Sequence, residues 1–213
     1  MSFKIQSFTF NGFQENTYVV FDSESLETAI IDPGCYNAHE QAALEKFIAQ
    51  NSLTVKYLLN THCHIDHVLG NTFVKNQYNV PLMIHRLEQV ILDNSYASAT
   101  MYGFMNYERC EADIYLEEGQ QILLGNNALD ILFVPGHAPG HVAFYNTAER
   151  FCISGDVLFR ESVGRTDFPY CNHNDLIDSI KTKMFALPDD TRVYAGHGPS
   201  TTIAHEKRYN PFV

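Results

Sequence analysis

The stretch Thr61-His62-Cys63-His64-Ile65-Asp66-His67 follows the apolar run 55–59 and gathers three imidazoles and a carboxylate at one strand end. In extended chain alternate side chains share a face, so His62 and His64 can address one cation together. A turn into a helix beginning near Asp66 then aims Asp66 and His67 at a second cation beside the first. Imidazoles combined with a carboxylate are the ligand set of zinc, with iron and manganese as alternatives. Cys63 alternates to the opposite face and reads as buried packing. The competing reading, a solvated polar loop with scattered histidines, requires this order of residues to be chance.

Three other strand ends repeat the logic. Val134-Pro135-Gly136-His137, Ile153-Ser154-Gly155-Asp156 and Tyr194-Ala195-Gly196-His197-Gly198-Pro199 each place His or Asp behind a glycine, just after an apolar run. Backbone can turn tightly there and expose a ligand. One Gly-His pair is usually loop filler, but four such ends in one chain form a constellation. His141 lies four residues after His137, yet Pro139 and Gly140 disfavour a shared helix face. It reads as a partner that orients the ligands, with a purely structural role as the alternative. No Gly-x-Ser-x-Gly elbow or phosphate-binding loop is present. His39-Glu40 and His205-Glu206 lack a second histidine at the helical position, which holds Ala43 and Tyr209.

Outward from these motifs, the patterning predicts strands over 4–10, 17–21 and 28–31, the last stopped by Asp32-Pro33-Gly34. A helix is predicted over 38–50, a strand over 55–59, and a helix from near Asp66 through Phe73 and Val74 to Tyr78. A strand over 81–84 and a helix over 86–92 follow, whereas 94–118 carries no readable pattern. Strands are predicted over 121–124, 128–134, 142–145 and 151–154, then a helix over 174–185 and a strand over 192–194. No linker, repeat or low-complexity run divides the chain. The expectation is one α+β domain over 1–213, with sheets covered by helices.

Composition narrows the function classes. The 213 residues are 45% apolar, with 15 Phe and 12 Tyr, enough to bury a large core. Fourteen basic against 25 acidic residues give a formal charge of −11. That excess argues against nucleic acid and anionic membrane as partners, both of which need basic patches. No 18-residue apolar stretch exists. Met1-Ser2-Phe3-Lys4-Ile5-Gln6 alternates without a signal peptide's apolar block, so a cytoplasmic chain is expected. Five cysteines without Cys-x-x-Cys spacing suit reduced thiols.

The motifs together resemble the metallo-β-lactamase superfamily across nearly the whole chain, and within it the short bacterial form of glyoxalase II, the hydroxyacylglutathione hydrolases. The resemblance rests on Ile31-Asp32-Pro33-Gly34, the 61–67 cluster and Pro135-Gly136-His137-Ala138-Pro139-Gly140-His141. Gly155-Asp156-Val157-Leu158-Phe159, Gly164-Arg165-Thr166-Asp167-Phe168-Pro169, Gly196-His197-Gly198-Pro199 and the closing Asn210-Pro211-Phe212 extend it. It implies a four-layer αββα sandwich with metals at one edge. One ion would sit on His62, His64 and His137, the other on Asp66, His67 and His197, with Asp156 bridging. Two divalent ions follow, zinc first, with iron or manganese possible. Asp156 stands where many β-lactamases of the superfamily use Cys, and His64 where flavo-diiron proteins use Glu.

The implied reaction is hydrolysis of a small acyl thioester such as S-D-lactoylglutathione by a metal-bridging hydroxide, with Asp66 orienting the nucleophile and accepting its proton. Arg165 fits the family's basic glutathione contact and is equally readable as a loop ion-pair partner. The chain departs from the glutathione-binding pattern at Asp167 and Pro199, where tyrosines are expected, and it ends at Val213, before the helical extension of the long form. The rival reading is a persulfide dioxygenase of the same superfamily, holding one iron on two histidines and Asp156. A third, a metal-stabilised binding module, requires a blocked coordination position. His85 reads as an edge histidine and His173 as structural at a helix start. Tyr96, Met101, Tyr102, Phe104, Met105 and Tyr107 read as core or covering segment, or as an apolar wall over the metals. A monomer or homodimer is expected.

Overall fold

The computed structural model describes residues 3–213, so Met1 and Ser2 of the N-terminal reading lie outside it. The first sheet runs in spatial order β1 (Phe3–Phe10), β2 (Glu15–Asp22), β3 (Glu27–Ile31), β4 (Thr54–Leu59), β5 (Leu82–His85) and β6 (Ile114–Leu116). Its first three strands are antiparallel neighbours, and β3 to β6 pair in parallel through helical crossovers. The second sheet is ordered β14 (Thr201–Thr202), β13 (Arg192–Ala195), β10 (Phe151–Gly155), β9 (Val142–Asn146), β8 (Asn127–Phe133) and β7 (Gln121–Leu124). Between β10 and β13 lies a hairpin of β11 (Leu158–Phe159) and β12 (Ser162–Val163).

Three apolar clusters define four layers. Strand side chains alternate between faces, so neighbours in sequence enter different cores. Val20, Ala29, Ile31 and Leu59 of the first sheet meet Leu129, Ile131, Phe144 and Ile153 of the second, forming the central core. Val19, Ile30 and Leu58 point the other way, toward α1 (Ala38–Gln50) through Leu44 and Ile48 and toward α3 (Asn71–Tyr78) through Val74. On the far side Ala143, Cys152 and Val193 pack on α6 (His173–Ser179) through Leu176 and on α7 (Ile203–Tyr209) through Ile203. This is the αββα sandwich. Strands β2, β3, β9 and β10 are covered on both faces, and their apolar residues follow one another in Tyr18–Phe21, Ala29–Ile31, Val142–Tyr145 and Phe151–Ile153 rather than alternating with polar ones.

Local sequence explains the element ends. Asn37 caps α1 through a capping box with Glu40, which reaches back to the Asn37 backbone. The single helix expected from Asp66 to Tyr78 is broken into α2 (Ile65–Val68) and α3, because Gly70 is pinned by its N–H to Pro33 O at 2.7 Å. A Cβ there would lie 2.8 Å from that same carbonyl. The helix expected over 86–92 opens with a 3₁₀ turn at Arg86–Glu88 before α4 (Gln89–Asp93). The unread segment 94–118 holds α5 (Ser95–Met101) and β6. The helix over 174–185 ends in a π turn at Ile180–Met184. The β11–β12 hairpin, β14 and α7 carried too few residues to show a period.

Strands β4, β8, β10 and β13 all end at one edge of the sandwich, and the loops that leave them carry the four motifs. Among the described residues no helix is long and apolar enough to cross a membrane.

Candidate metal centre

The edge loops bring all seven expected ligands together. One ligand atom from each of His62, His64 and His137 lies within 4.8 Å of the others, and the same holds for Asp66, His67 and His197. Asp156 stands between the trios, its Oδ2 3.6 Å from His137 Nε2 and 3.5 Å from His197 Nε2, its Oδ1 3.5 Å from His67 Nε2. His62 and His67 are wholly buried, whereas His64, Asp66 and His197 border the open side.

The ring nitrogens face the right way for cations. His67 Nδ1 lies 3.2 Å from Asp32 Oδ2, His137 Nδ1 2.8 Å from Arg165 O, and His197 Nδ1 3.1 Å from Phe13 O. An imidazole whose Nδ1 donates to oxygen keeps its Nε2 lone pair for a metal. His62 Nε2, His67 Nε2 and Asp156 Oδ1 are buried with no hydrogen-bond partner, which is costly unless a cation takes them up. The donor set therefore fits two divalent ions.

Asp32 also lies close to His62 and His67. It is no candidate ligand, because its oxygens already accept from Thr61 N–H at 2.7 Å, Thr61 Oγ1 at 2.6 Å and His67. Its work is to orient His67 and hold the 61–67 loop. Glu88 does the same for a different pair of loops. It is fully buried, with one oxygen accepting the Cys63 N–H at 2.8 Å and the other the Gly140 N–H at 2.7 Å. Neither carboxylate is marked for this role in the sequence, since each works across 25 or more residues on groups in the motif loops that spacing along the chain does not connect to it. His141 accepts the Asp156 N–H at 3.1 Å through Nε2 and stacks on His62 at 4.7 Å between centroids.

The two trios differ electrostatically. Burial first, then neighbouring imidazoles, hold His62 well below the usual histidine range and push His64 down to about 3. Burial likewise lowers His137. Burial also opposes charge on His67, but the Asp156 and Asp66 carboxylates outweigh it and hold His67 well above its ordinary value. His197 is raised against burial by its hydrogen bond to Asp66 and by Asp156. Asp66 and Asp156 are both lowered despite burial, chiefly by His67. The trio with Asp66 thus draws positive charge, and the other offers neutral imidazoles.

Around the opening, Arg165 is ion-paired within its own loop, Nε to Asp167 Oδ1 and Nη2 to Asp167 Oδ2 at 2.6 Å each. Its guanidinium also covers the Phe168 ring at 4.0 Å, and Phe168 abuts His64 at 5.3 Å. Of the two roles open to Arg165, the structure displays the loop ion pair. The aromatic segment divides. Tyr107 is buried and bonds Ser95, whereas Tyr102 is exposed and packs edge-on to Phe13, whose carbonyl holds His197. Tyr96, Met101 and Met105 point to solvent. Cys63 is buried as expected. His85 ends β5, stacked on Phe133, and His173 begins α6.

A family model described as the metallo-beta-lactamase superfamily matches residues 10–197. The chain is 37% identical over 203 residues to the Haemophilus influenzae protein called hydroxyacylglutathione hydrolase GloC, covering 94% of this chain and 93% of that one. Among solved structures, the BLEG-1 B3 metallo-beta-lactamase superposes with a TM-score of 0.89 at 32% identity, covering 98% of this chain and 99% of that one. TTHA1623, solved in a di-iron-bound form, superposes with a TM-score of 0.86 at 35% identity, over 98% of this chain and 100% of that one.

Proposed function

The chain belongs to the metallo-β-lactamase superfamily, and on that premise we propose that it is a dinuclear metal-dependent hydrolase of small acyl thioesters, acting as a glyoxalase II-like enzyme on substrates such as S-D-lactoylglutathione. One observation carries the reading: two three-ligand clusters share Asp156 between them at one open edge. His62, His64 and His137 would hold one ion, Asp66, His67 and His197 the other, and Asp156 would touch both. The metal set is zinc first, with iron supported by the di-iron-bound relative.

Two such ions supply a water of lowered pKa and a Lewis acid for a carbonyl oxygen. Asp66 borders the opening, with Oδ2 3.1 Å from His197 Nε2, where it can orient the attacking water and take its proton. Water oxygen adds to the thioester carbon, the C–S bond breaks, and the departing thiolate recovers the proton that Asp66 took from the water. His67 and Asp156, locked from behind by Asp32 and His141, keep their positions while charge moves.

The persulfide dioxygenase alternative would use two histidines with Asp156 and leave Asp66, His67 and His197 without work. Their convergence, and their attraction for positive charge, favour the dinuclear reading. The likeness to a B3 metallo-beta-lactamase makes a β-lactam the necessary counter-substrate. The test is turnover of S-D-lactoylglutathione, a neutral acyl thioester and nitrocefin by zinc-loaded protein, beside Asp66→Ala. Thioester turnover that falls by about a hundredfold or more in the variant supports the assignment. Two bound metals without thioester turnover, or turnover of nitrocefin alone, would remove it.

A further inference from the structure

An open groove of about 350 Å³ lies beside His197, lined by Phe159, Pro199 and the hairpin turn Arg160-Glu161. His197 lines this groove and belongs to the candidate metal centre, so the groove borders the centre at that residue. Phe159 packs edge-on toward the His197 ring at 6.3 Å.

The hairpin tip is held in place from α7. Glu161 adopts φ 57°, its N–H donates to Glu206 Oε2 at 2.9 Å, and its own carboxylate contacts His205 Nε2 at 2.9 Å. Glu206 is fully buried and is anchored in turn by Thr201 and Asn210. Arg160 therefore projects from a turn that does not drift. Its guanidinium is half-exposed, and its one ion-pair contact among the described residues is the committed Glu161 carboxylate at 3.9 Å.

Arg165, on the His64 side of the opening, is in the opposite condition, since both edges of its fork are taken by Asp167. Asp167 is itself held down to about 2 by that pairing. An incoming carboxylate would have to displace Asp167 to reach Arg165, whereas Arg160 presents unspent donors over an apolar floor.

We propose that the Arg160 groove is the subsite for the thiol carrier of the substrate, with the Arg160 guanidinium taking a carrier carboxylate and Phe159 and Pro199 its apolar stem. The assignment rests on the thioester-hydrolase reading for its substrate, and it places the carrier on the His197 side of the metals rather than beside Arg165. The acyl group then lies toward Phe168 and His64.

Glutathione is the probe, titrated calorimetrically into metal-loaded wild-type protein and into Arg160→Ala, Arg160→Lys and Arg165→Ala, each checked for metal content and melting temperature. Arg160→Ala is expected to weaken glutathione about tenfold, the loss of one charge-assisted hydrogen bond. Arg160→Lys should recover part of it, and Arg165→Ala should change it by less than about twofold. With S-D-lactoylglutathione, Arg160→Ala should raise KM at nearly constant kcat and leave a neutral thioester untouched. Unchanged glutathione affinity in Arg160→Ala, loss concentrated in Arg165→Ala, or no glutathione binding by wild type would each overturn the proposal. Absence of thioester turnover would remove the hydrolase reading, and the calorimetry would still decide for or against Arg160.

Discussion

Glu88 accepts the backbone N–H of Cys63 at 2.8 Å, and through its other oxygen it ties the loop carrying His62 and His64 to the loop carrying His137. Three ligands of one proposed ion thus depend on a carboxylate that touches none of them. Glu88→Ala should weaken binding of that ion by about 10–100-fold, the usual effect of losing a group that orients metal ligands. The ion held by Asp66, His67 and His197 should be affected far less. A two-phase zinc titration with a competing chelator reads both constants, and equal weakening of the two would contradict this role.

Acidification should strip the two ions in order. His67 and His197 bind protons more readily than ordinary histidines, so a cation must displace those protons, and its affinity falls as pH falls. His62, His64 and His137 lie below the usual range and compete weakly with protons, with His64 at about 3. Metal content after dialysis from pH 8 toward 5 is expected to pass through a plateau near one ion per chain, retained by the three-histidine trio. Simultaneous loss of both ions, or first loss from that trio, would show the electrostatic asymmetry to be without consequence.

Gly196 sits where no side chain fits. A Cβ there would overlap Asp156 Oδ1 and lie 2.7 Å from His67 Cε1. Gly196→Ala is expected to displace the shared carboxylate, lowering metal stoichiometry and thioester turnover by about a hundredfold, while destabilising the fold by only about 1–3 kcal/mol. Far-UV circular dichroism with metal analysis separates the two effects.

Metal removal should cost stability as well as activity. Four loops carry the candidate ligands, and buried His62 Nε2, His67 Nε2 and Asp156 Oδ1 have no hydrogen-bond partner among the described residues. At free metal a thousandfold above its dissociation constant, one ion contributes about 4 kcal/mol. Chelation should therefore lower the melting temperature by many degrees, and zinc should restore it. An unchanged melting temperature would mean that the site binds no ion tightly.

Phe144, wholly buried in the core between the sheets, tests the fold independently of the site. Phe144→Ala should cost about 3–5 kcal/mol in denaturant unfolding. Because it lies in the core between the sheets and not in the edge loops, metal stoichiometry of the folded fraction should stay the same.

The seven candidate ligands were legible in the chain because each follows an apolar strand and three follow a glycine, a local signal that survives without tertiary structure. Helix α1 was legible over Ala38–Gln50 from its apolar face, and the structure adds the capping box of Asn37 and Glu40 at its start. The helix from Asp66 to Tyr78 was misread as continuous because its break depends on Pro33, distant in sequence, accepting the Gly70 N–H. Elements of two residues, such as β11 and β14, have no period to detect.

What the sequence alone determined is the set of candidate ligands and an α+β chain with sheets covered by helices, because strand-end motifs and apolar patterning are local consequences of backbone geometry, whereas the four-layer sandwich followed from the likeness to the superfamily. Tertiary structure decided which charges are free and which carboxylates work from behind the site. Asp32, Glu88 and His141 act on groups 15 to 52 residues away, and the Glu161 carboxylate beside Arg160 is drawn to His205, 44 residues on, whereas Asp167 closes on Arg165. Hydrogen bonds and ion pairs are set by distances of a few ångströms in space, and spacing along the chain carries no record of them.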